Sequence, residues 1–136
     1  FKPIGVHLKV EKMAYKIIWE EKGFLAKFSG TVDDKEIMEI NNSMYGDIRY
    51  ESITYQIADY TDVTTYLITP SEAKVIGTLD RTSSVWSSKM KKNVVVTTDE
   101  KFISIVKTYF KELEGNGWEC RIFETLDKAY EWVKSE

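Results

Sequence analysis

A run of polar side chains from Asp59 to Thr65 stands between a strand pattern and a helix start in the stretch ADYTDVTTYLITP. Two nearby carboxylates can act as a general acid and a general base. Catalysis also needs a nucleophile or an electrophilic group within reach, and the sequence places no histidine or metal cluster there. We therefore predict no catalytic residue, and we predict that this stretch contacts a ligand or partner through Asp59, Tyr60, Thr61, Asp62, Thr64 and Thr65. The alternative is a structural role, because Asp and Thr side chains bond local backbone in loops.

A second candidate site lies in RTSSVWSSKM, residues 81–90, where serines alternate with large apolar side chains. Serine is a mediocre helix former, so this composition is unusual for a helix. Aromatic residues and methionine are enriched in interface cores, and this predicts a contact surface formed by Ser83, Trp86 and Met90. The alternative places Trp86 and Met90 in the core, as the end of an inward stripe with Ala73 (or Glu72), Ile76, Leu79 and Ser83.

The residues for metal or cofactor chemistry are scarce. The chain has one histidine, His7, and one cysteine, Cys120, which argues against a zinc site and excludes an internal disulfide. It also has no glycine-rich phosphate loop. We predict no metal, no cofactor and no enzymatic activity.

Composition limits the partners. The net charge is −3 and the pI about 5.3, so there is no electrostatic drive toward nucleic acid or an anionic membrane. No apolar run approaches the roughly 20 residues of a membrane span. A single cysteine suits a reducing compartment, so we expect a cytoplasmic protein.

The 136 residues suffice for one domain, which we place at residues 13–136. Residues 1–12 precede Met13 and form an N-terminal lead. They are either an addition to the natural chain or an extra edge strand, since Val6, Leu8 and Val10 alternate with polar residues.

The hydrophobic pattern predicts β, β, α, β, α, β, α, β, α. The predicted elements are a hairpin of Tyr15–Glu21 and Gly23–Gly30, a helix capped by Asp33 and ending at Gly46, a strand over Tyr50–Tyr60, a helix from Thr69 to Met90, a strand at Asn93–Val96, a helix capped by Thr97 or Thr98, a strand over Trp118–Thr125 and a last helix capped by Thr125. Alternating strands and helices predict parallel strands, and the continuously apolar NVVV predicts a central strand covered on both faces. In such sheets ligands bind beyond the carboxyl ends of the strands, where the strand order reverses, and Asp59–Thr65 lies at such an end.

Four motifs extend from the hairpin to the last helix. They are W-E-x-x-G at Trp19–Gly23, Y-G-D at Tyr45–Asp47, D-Y-x-D-V at Asp59–Val63 and F-E-T-L-x-x-A-x-x-W at Phe123–Trp132. In these motifs the chain resembles the bacterial SpoIIAA-like family, whose fold is shared by STAS domains and CRAL-TRIO lipid carriers. The resemblance implies an α/β fold with a mixed, mainly parallel five-stranded sheet, an N-terminal antiparallel hairpin and four flanking helices.

The resemblance implies two classes of function. The first is a non-enzymatic STAS-like protein-interaction or regulatory module that binds a partner protein or a second copy of itself as a homodimer. The alternative is a protein that binds an apolar small molecule or lipid in a pocket between sheet and helices. STAS antagonists of anti-sigma factors have a phosphorylatable serine in a D-S-S-G-type turn, and the corresponding stretch here lacks the serine–glycine pair.

Overall fold

The computed structural model describes residues 14–84 and 89–135. The predicted lead at residues 1–12, with its candidate edge strand, and Trp86 lie outside the described residues. The elements in chain order are β1 (Ala14–Trp19), β2 (Gly23–Val32), α1 (Asp34–Tyr45), a short 3-10 helix (Ile48–Glu51), β3 (Tyr55–Tyr66), α2 (Pro70–Ser83), β4 (Lys92–Val96), α3 (Glu100–Glu112), β5 (Glu119–Phe123) and α4 (Leu126–Val133).

The five strands form one mixed sheet in the order β1-β2-β3-β4-β5. β1 pairs with β2 antiparallel, and the other neighbouring pairs are parallel. This confirms the predicted hairpin and the predicted α/β class. β4 lies between β3 and β5, and its residues Asn93–Val96 are all buried, as the NVVV pattern predicts.

Helices cover both faces of the sheet. The larger core cluster joins one sheet face to α1, α2 and α3 through residues such as Ile40, Ile76 and Val106. The smaller cluster joins the other face to α4 through Ala129 and Val133. The middle of the sheet is therefore covered on both sides, whereas no residue of the edge strands β1 and β5 is fully buried.

The sequence predicts that the candidate site lies where the strand order of the sheet reverses, and the observed strand order has no such point among the parallel strands. The parallel strands β2 to β5 follow chain order without a reversal. The reason is that α1, α2 and α3 pack on the same face, so each crossover moves the chain one strand further in one direction. Within the described residues, the fold alone therefore marks no crevice between oppositely wound halves.

The third strand lies five residues later than predicted. Tyr50 belongs to the 3-10 helix, and β3 runs over Tyr55–Tyr66. Asp59 and Tyr60 are strand residues, as predicted, but Thr61–Thr65, predicted to follow the strand, continue β3 beyond the end of β4 and pair with β2 through two register shifts. The threonines and the valine of this extension are β-prone residues, which favours continued pairing over a loop.

The second helix is shorter than predicted and rotated. It ends at Ser83, so Met90 lies beyond it, directly before β4. Leu79, placed in the inward stripe by the sequence, is 40% exposed, whereas Asp80 is 4% exposed. Asp80 lies four residues after Ile76 and three before Ser83, on the same buried stripe.

Most predicted helix caps are present. Three side chains accept a hydrogen bond from the backbone N–H three residues later: Asp33, Thr69 and Thr125. Glu72 also accepts from the N–H of Thr69 at 2.8 Å, which completes a capping box. For α3 the predicted threonine cap is wrong, because Asp99 accepts from the N–H of Phe102 at 2.8 Å.

Candidate functional site

The predicted site residues of β3 divide into buried and exposed groups. Thr61, Asp62, Thr64 and Thr65 are exposed on the part of β3 that extends past β4. They are available to a partner at the carboxyl edge of the sheet. Thr64 donates to the carbonyl of Gly30 at 3.3 Å, so its hydroxyl also ties β3 to β2.

Asp59 is buried, with 3% of its surface exposed. Its Oδ1 accepts from the N–H of Thr61 at 3.0 Å and from the Thr61 hydroxyl at 2.7 Å. These contacts are local to the strand and match the structural alternative for this side chain.

Tyr60 is a core residue. It is 7% exposed, stacks on Phe28 with ring centroids 4.7 Å apart and meets Phe102 edge-on at 4.8 Å. Since its ring is enclosed between the sheet and α3, Tyr60 is not available to a partner on the surface.

The second candidate site lies at the opposite edge of the sheet. Ser83 and Met90 are 7% and 4% exposed, and Met90 belongs to the larger core cluster. Ser83 is the last residue of α2 and Met90 lies two residues before β4, so both are near the amino ends of the parallel strands. The structure does not bring them together with Thr61–Thr65.

The outward side of α2 presents apolar side chains that the sequence placed elsewhere or left unassigned. Val75 is 52% exposed and Leu79 is 40% exposed, one helical turn apart. We define the outer face of α2 as six of its exposed residues: Ser71, Lys74, Val75, Thr78, Leu79 and Thr82. Leu67, which precedes the helix, is also 55% exposed.

A buried polar network converges on Asp80, on the inward side of the same helix. Oδ1 accepts from the hydroxyl of Tyr45 and from the amide of Asn41 at 3.2 Å, and Oδ2 accepts from the hydroxyl of Tyr109 at 2.5 Å. Asn93 donates to the Tyr109 hydroxyl at 3.1 Å and accepts from Gln56 at 3.1 Å. The carboxyl of Asp80 thus accepts hydrogen bonds from side chains of α1 and α3. Tyr109 connects it further to Asn93 of β4 and Gln56 of β3.

Burial dominates the electrostatics of this network. Loss of solvent raises the pKa of Asp80 from 3.8 to about 7, although the hydrogen bonds from Tyr109 and Asn41 lower it in part. In the described part of the chain no cationic side chain contacts this carboxyl. Asp80 therefore changes charge near neutral pH.

The network borders a cavity of about 90 Å³ between the sheet and helices α1, α2 and α3. Its lining is mainly apolar and includes Phe24, Phe28, Met44 and Ile76, with Asp80 among the few polar groups. An apolar cavity with a few convergent polar groups is the usual form of a small-molecule site.

Asp80 is not among the site residues predicted from the sequence. The available signal was its spacing from Ala73, Ile76 and Ser83, which puts an acid on an otherwise apolar helix face. Its partners are 29 to 39 residues away in sequence, so no local motif contains the network.

The described residues contain no candidate metal cluster and no candidate membrane span. No group of three or more His, Cys, Asp or Glu side chains in residues 14–84 and 89–135 is placed to hold a metal ion. Over the same ranges, no helix has the length and apolarity needed to cross a membrane.

The architecture is a SpoIIAA-like α/β fold, and comparison with solved structures supports this. The chain is similar to an uncharacterized DUF3478-family protein with a SpoIIAA-like fold from Shewanella loihica PV-4, at 16% identity over 89% of this chain and 93% of that one (TM-score 0.52). It is also similar to the anti-sigma factor antagonist SpoIIAA in its unphosphorylated form, at 14% identity over 89% and 96% of the two chains (TM-score 0.59).

A third similar structure is an anti-sigma factor antagonist from Mycobacterium paratuberculosis, at 11% identity over 91% of this chain and 96% of that one (TM-score 0.53). No protein-family profile matches the sequence. No curated protein matches it significantly. At these identities the comparisons establish the fold.

Proposed function

We propose that the chain is a non-enzymatic regulatory module that binds a partner protein through the outer face of α2 and the exposed extension of β3. The observation that carries the proposal is the exposure of Val75 and Leu79 on one side of a helix that is otherwise packed in the fold. Large apolar side chains grouped on a surface mark interaction sites more often than isolated ones.

The comparisons support the same class of function. Two of the similar solved structures are anti-sigma factor antagonists, which act on protein partners. The extended end of β3 adds four exposed polar residues shortly before the start of α2. They can form a polar rim beside the apolar centre made by Val75 and Leu79, as in known interfaces. The partner is a protein or a second copy of this chain.

The test begins with a photo-crosslinking amino acid at Val75 in cells that naturally produce the protein. The captured partner is then purified, and its Kd is measured for the unaltered chain, Leu79→Asp and Ser104→Asp. Ser104 is exposed on α3 and serves as the matched control. We expect Leu79→Asp to weaken binding at least tenfold and Ser104→Asp to change it little, because a charge in an apolar contact must lose its water.

Equal binding by Leu79→Asp and the unaltered chain would refute this surface. If the captured protein is a second copy, light scattering at several concentrations should show a dimer that Leu79→Asp converts to a monomer. Thermal unfolding of each variant checks that the fold is unchanged.

A further inference from the structure

Asp80 is a buried acid, and no cationic side chain of the described residues contacts it. Its carboxyl accepts from Asn41, Tyr45 and Tyr109, which are all neutral donors. A buried carboxylate normally has a cationic partner or a metal, since neutral donors only partly replace its hydration. The described residues provide neither.

With the donors of residues 14–84 and 89–135 counted, the carboxyl also has an acceptor position left. A carboxylate offers about four lone-pair sites, two on each oxygen. Oδ1 receives two donors, from Tyr45 and Asn41, whereas Oδ2 receives one, from Tyr109. The second site on Oδ2 is the place where a further donor can bind, and Asp80 lines the cavity.

We propose that the cavity between the sheet and helices α1, α2 and α3 is a binding site for a small apolar amine, whose ammonium group donates to Oδ2 of Asp80 while its hydrocarbon part lies among Phe24, Phe28 and Met44. This inference is independent of the protein-binding surface, because it uses the inward side of α2.

The size of the cavity restricts the ligand. An engineered apolar cavity of ~150 Å³ holds benzene. At about 90 Å³, this cavity suits a short aliphatic chain better than a ring. A four-carbon amine matches both the volume and the single polar end, whereas a membrane lipid is far too large for it.

Binding of the amine is linked to the proton on Asp80. Burial raises the pKa of this carboxyl to about 7, so its neutral form predominates in slightly acidic solution. An ammonium ion favours the carboxylate, and the proton of Asp80 then leaves to solvent with no covalent bond formed or broken. Affinity should therefore rise with pH until Asp80 is ionised and level off above that point.

The other titratable groups that face Asp80 do not obscure this dependence. They are the phenols of Tyr45 and Tyr109 and, from β5, the thiol of Cys120. Burial raises the pKa of Cys120 to about 12 and raises that of Tyr109 further above its usual value of 10. β3 and β4 contribute the uncharged Gln56 and Asn93.

The experiment is an NMR titration of the full chain with n-butylamine, n-butanol and butyrate, three probes of similar length with a cationic, neutral or anionic end. We expect butylamine to shift the methyl resonances of Met44 and Ile76 and to bind at least tenfold more tightly than butanol, with butyrate weakest. Between about pH 6 and about pH 8 its affinity should rise about tenfold, because the ionised fraction of Asp80 rises by that factor.

Asp80→Asn should remove the preference for the amine and the pH dependence, and Glu131→Gln, an exposed change on the opposite side of the sheet, should leave both unchanged. The proposal fails if butanol binds as tightly as butylamine, if the affinity does not vary with pH, or if the shifts fall outside the cavity. The first two measurements use the unaltered chain, so they decide the question even if Asp80→Asn does not fold. They do not depend on Leu79, whose variant tests the partner surface separately.

Discussion

The buried carboxyl of Asp80 should make the stability of the protein depend on pH in a direction opposite to that of most acids. In the folded state its pKa is about 7, and in the unfolded chain the ordinary value is 3.8. Between these two values the folded state binds a proton that the unfolded state has lost. The contribution of Asp80 to the free energy of unfolding therefore falls as pH rises from about 4 to about 7 and is constant above.

The size of the effect follows from the two pKa values. The folded and unfolded pKa values of Asp80 differ by about 3, and a pKa difference of one corresponds to about 1.36 kcal/mol, so the effect is ~4 kcal/mol. Asp80→Asn keeps the shape of the side chain and removes the ionisation. We expect the free energy of unfolding of this variant, relative to the unaltered chain, to increase by ~4 kcal/mol between about pH 4 and about pH 8.

The assay is urea unfolding followed by tryptophan fluorescence at several pH values, with both proteins measured side by side. Other titrating groups contribute equally to both and cancel in the difference. The amide of asparagine needs an acceptor in the network, so the variant can be less stable than the unaltered chain in acid; that offset does not vary with pH. If the two stability curves are parallel across this range, Asp80 does not titrate as the burial argument requires.

Two further predictions concern α2 and use the same unfolding assay. Gly77→Ala should destabilise the protein by roughly 1–3 kcal/mol, because its added Cβ would lie 2.7 Å from the Cβ of Glu112 on α3, whereas Gly46→Ala, with its nearest neighbour at 3.9 Å, should have little effect. Thr69→Ala should lower the free energy of unfolding by about 1 kcal/mol, because it removes the cap of α2. Thr98 is exposed and caps no helix, so Thr98→Ala should cost much less. Equal losses of stability within the glycine pair or within the threonine pair would contradict the stated cause.

The sequence predicted the elements whose causes are local. The apolar run Val94–Val96 specifies a strand covered on both faces, and β4 is an inner, buried strand. The capping box of Thr69 and Glu72 specifies the start of α2. In both cases the residues that determine the structure are adjacent or within one helical turn, so a pattern in the sequence contains the whole interaction.

The end of α2 could not be predicted in the same way. The apolar spacing allowed Leu79 or Asp80 to face inward, and hydrophobicity favours Leu79. The outcome depends on Tyr45 and Tyr109, which supply donors from α1 and α3 and make the burial of an acid tolerable. These contacts exist only after the three helices have packed on one face of the sheet.

The two buried acids show where this limit lies. Asp59 is satisfied by Thr61, two residues along the same strand, and this local bonding was the structural alternative that the sequence offered for it. The donors to Asp80 are at least 29 residues away, so its burial reflects tertiary convergence rather than strand or turn chemistry. The hydrogen bonds from Thr61 already explain why the carboxyl of Asp59 can be buried. Nothing in the segment around Asp80 explains its burial, and its carboxyl borders a cavity. Asp80 is therefore the stronger indication of a binding site.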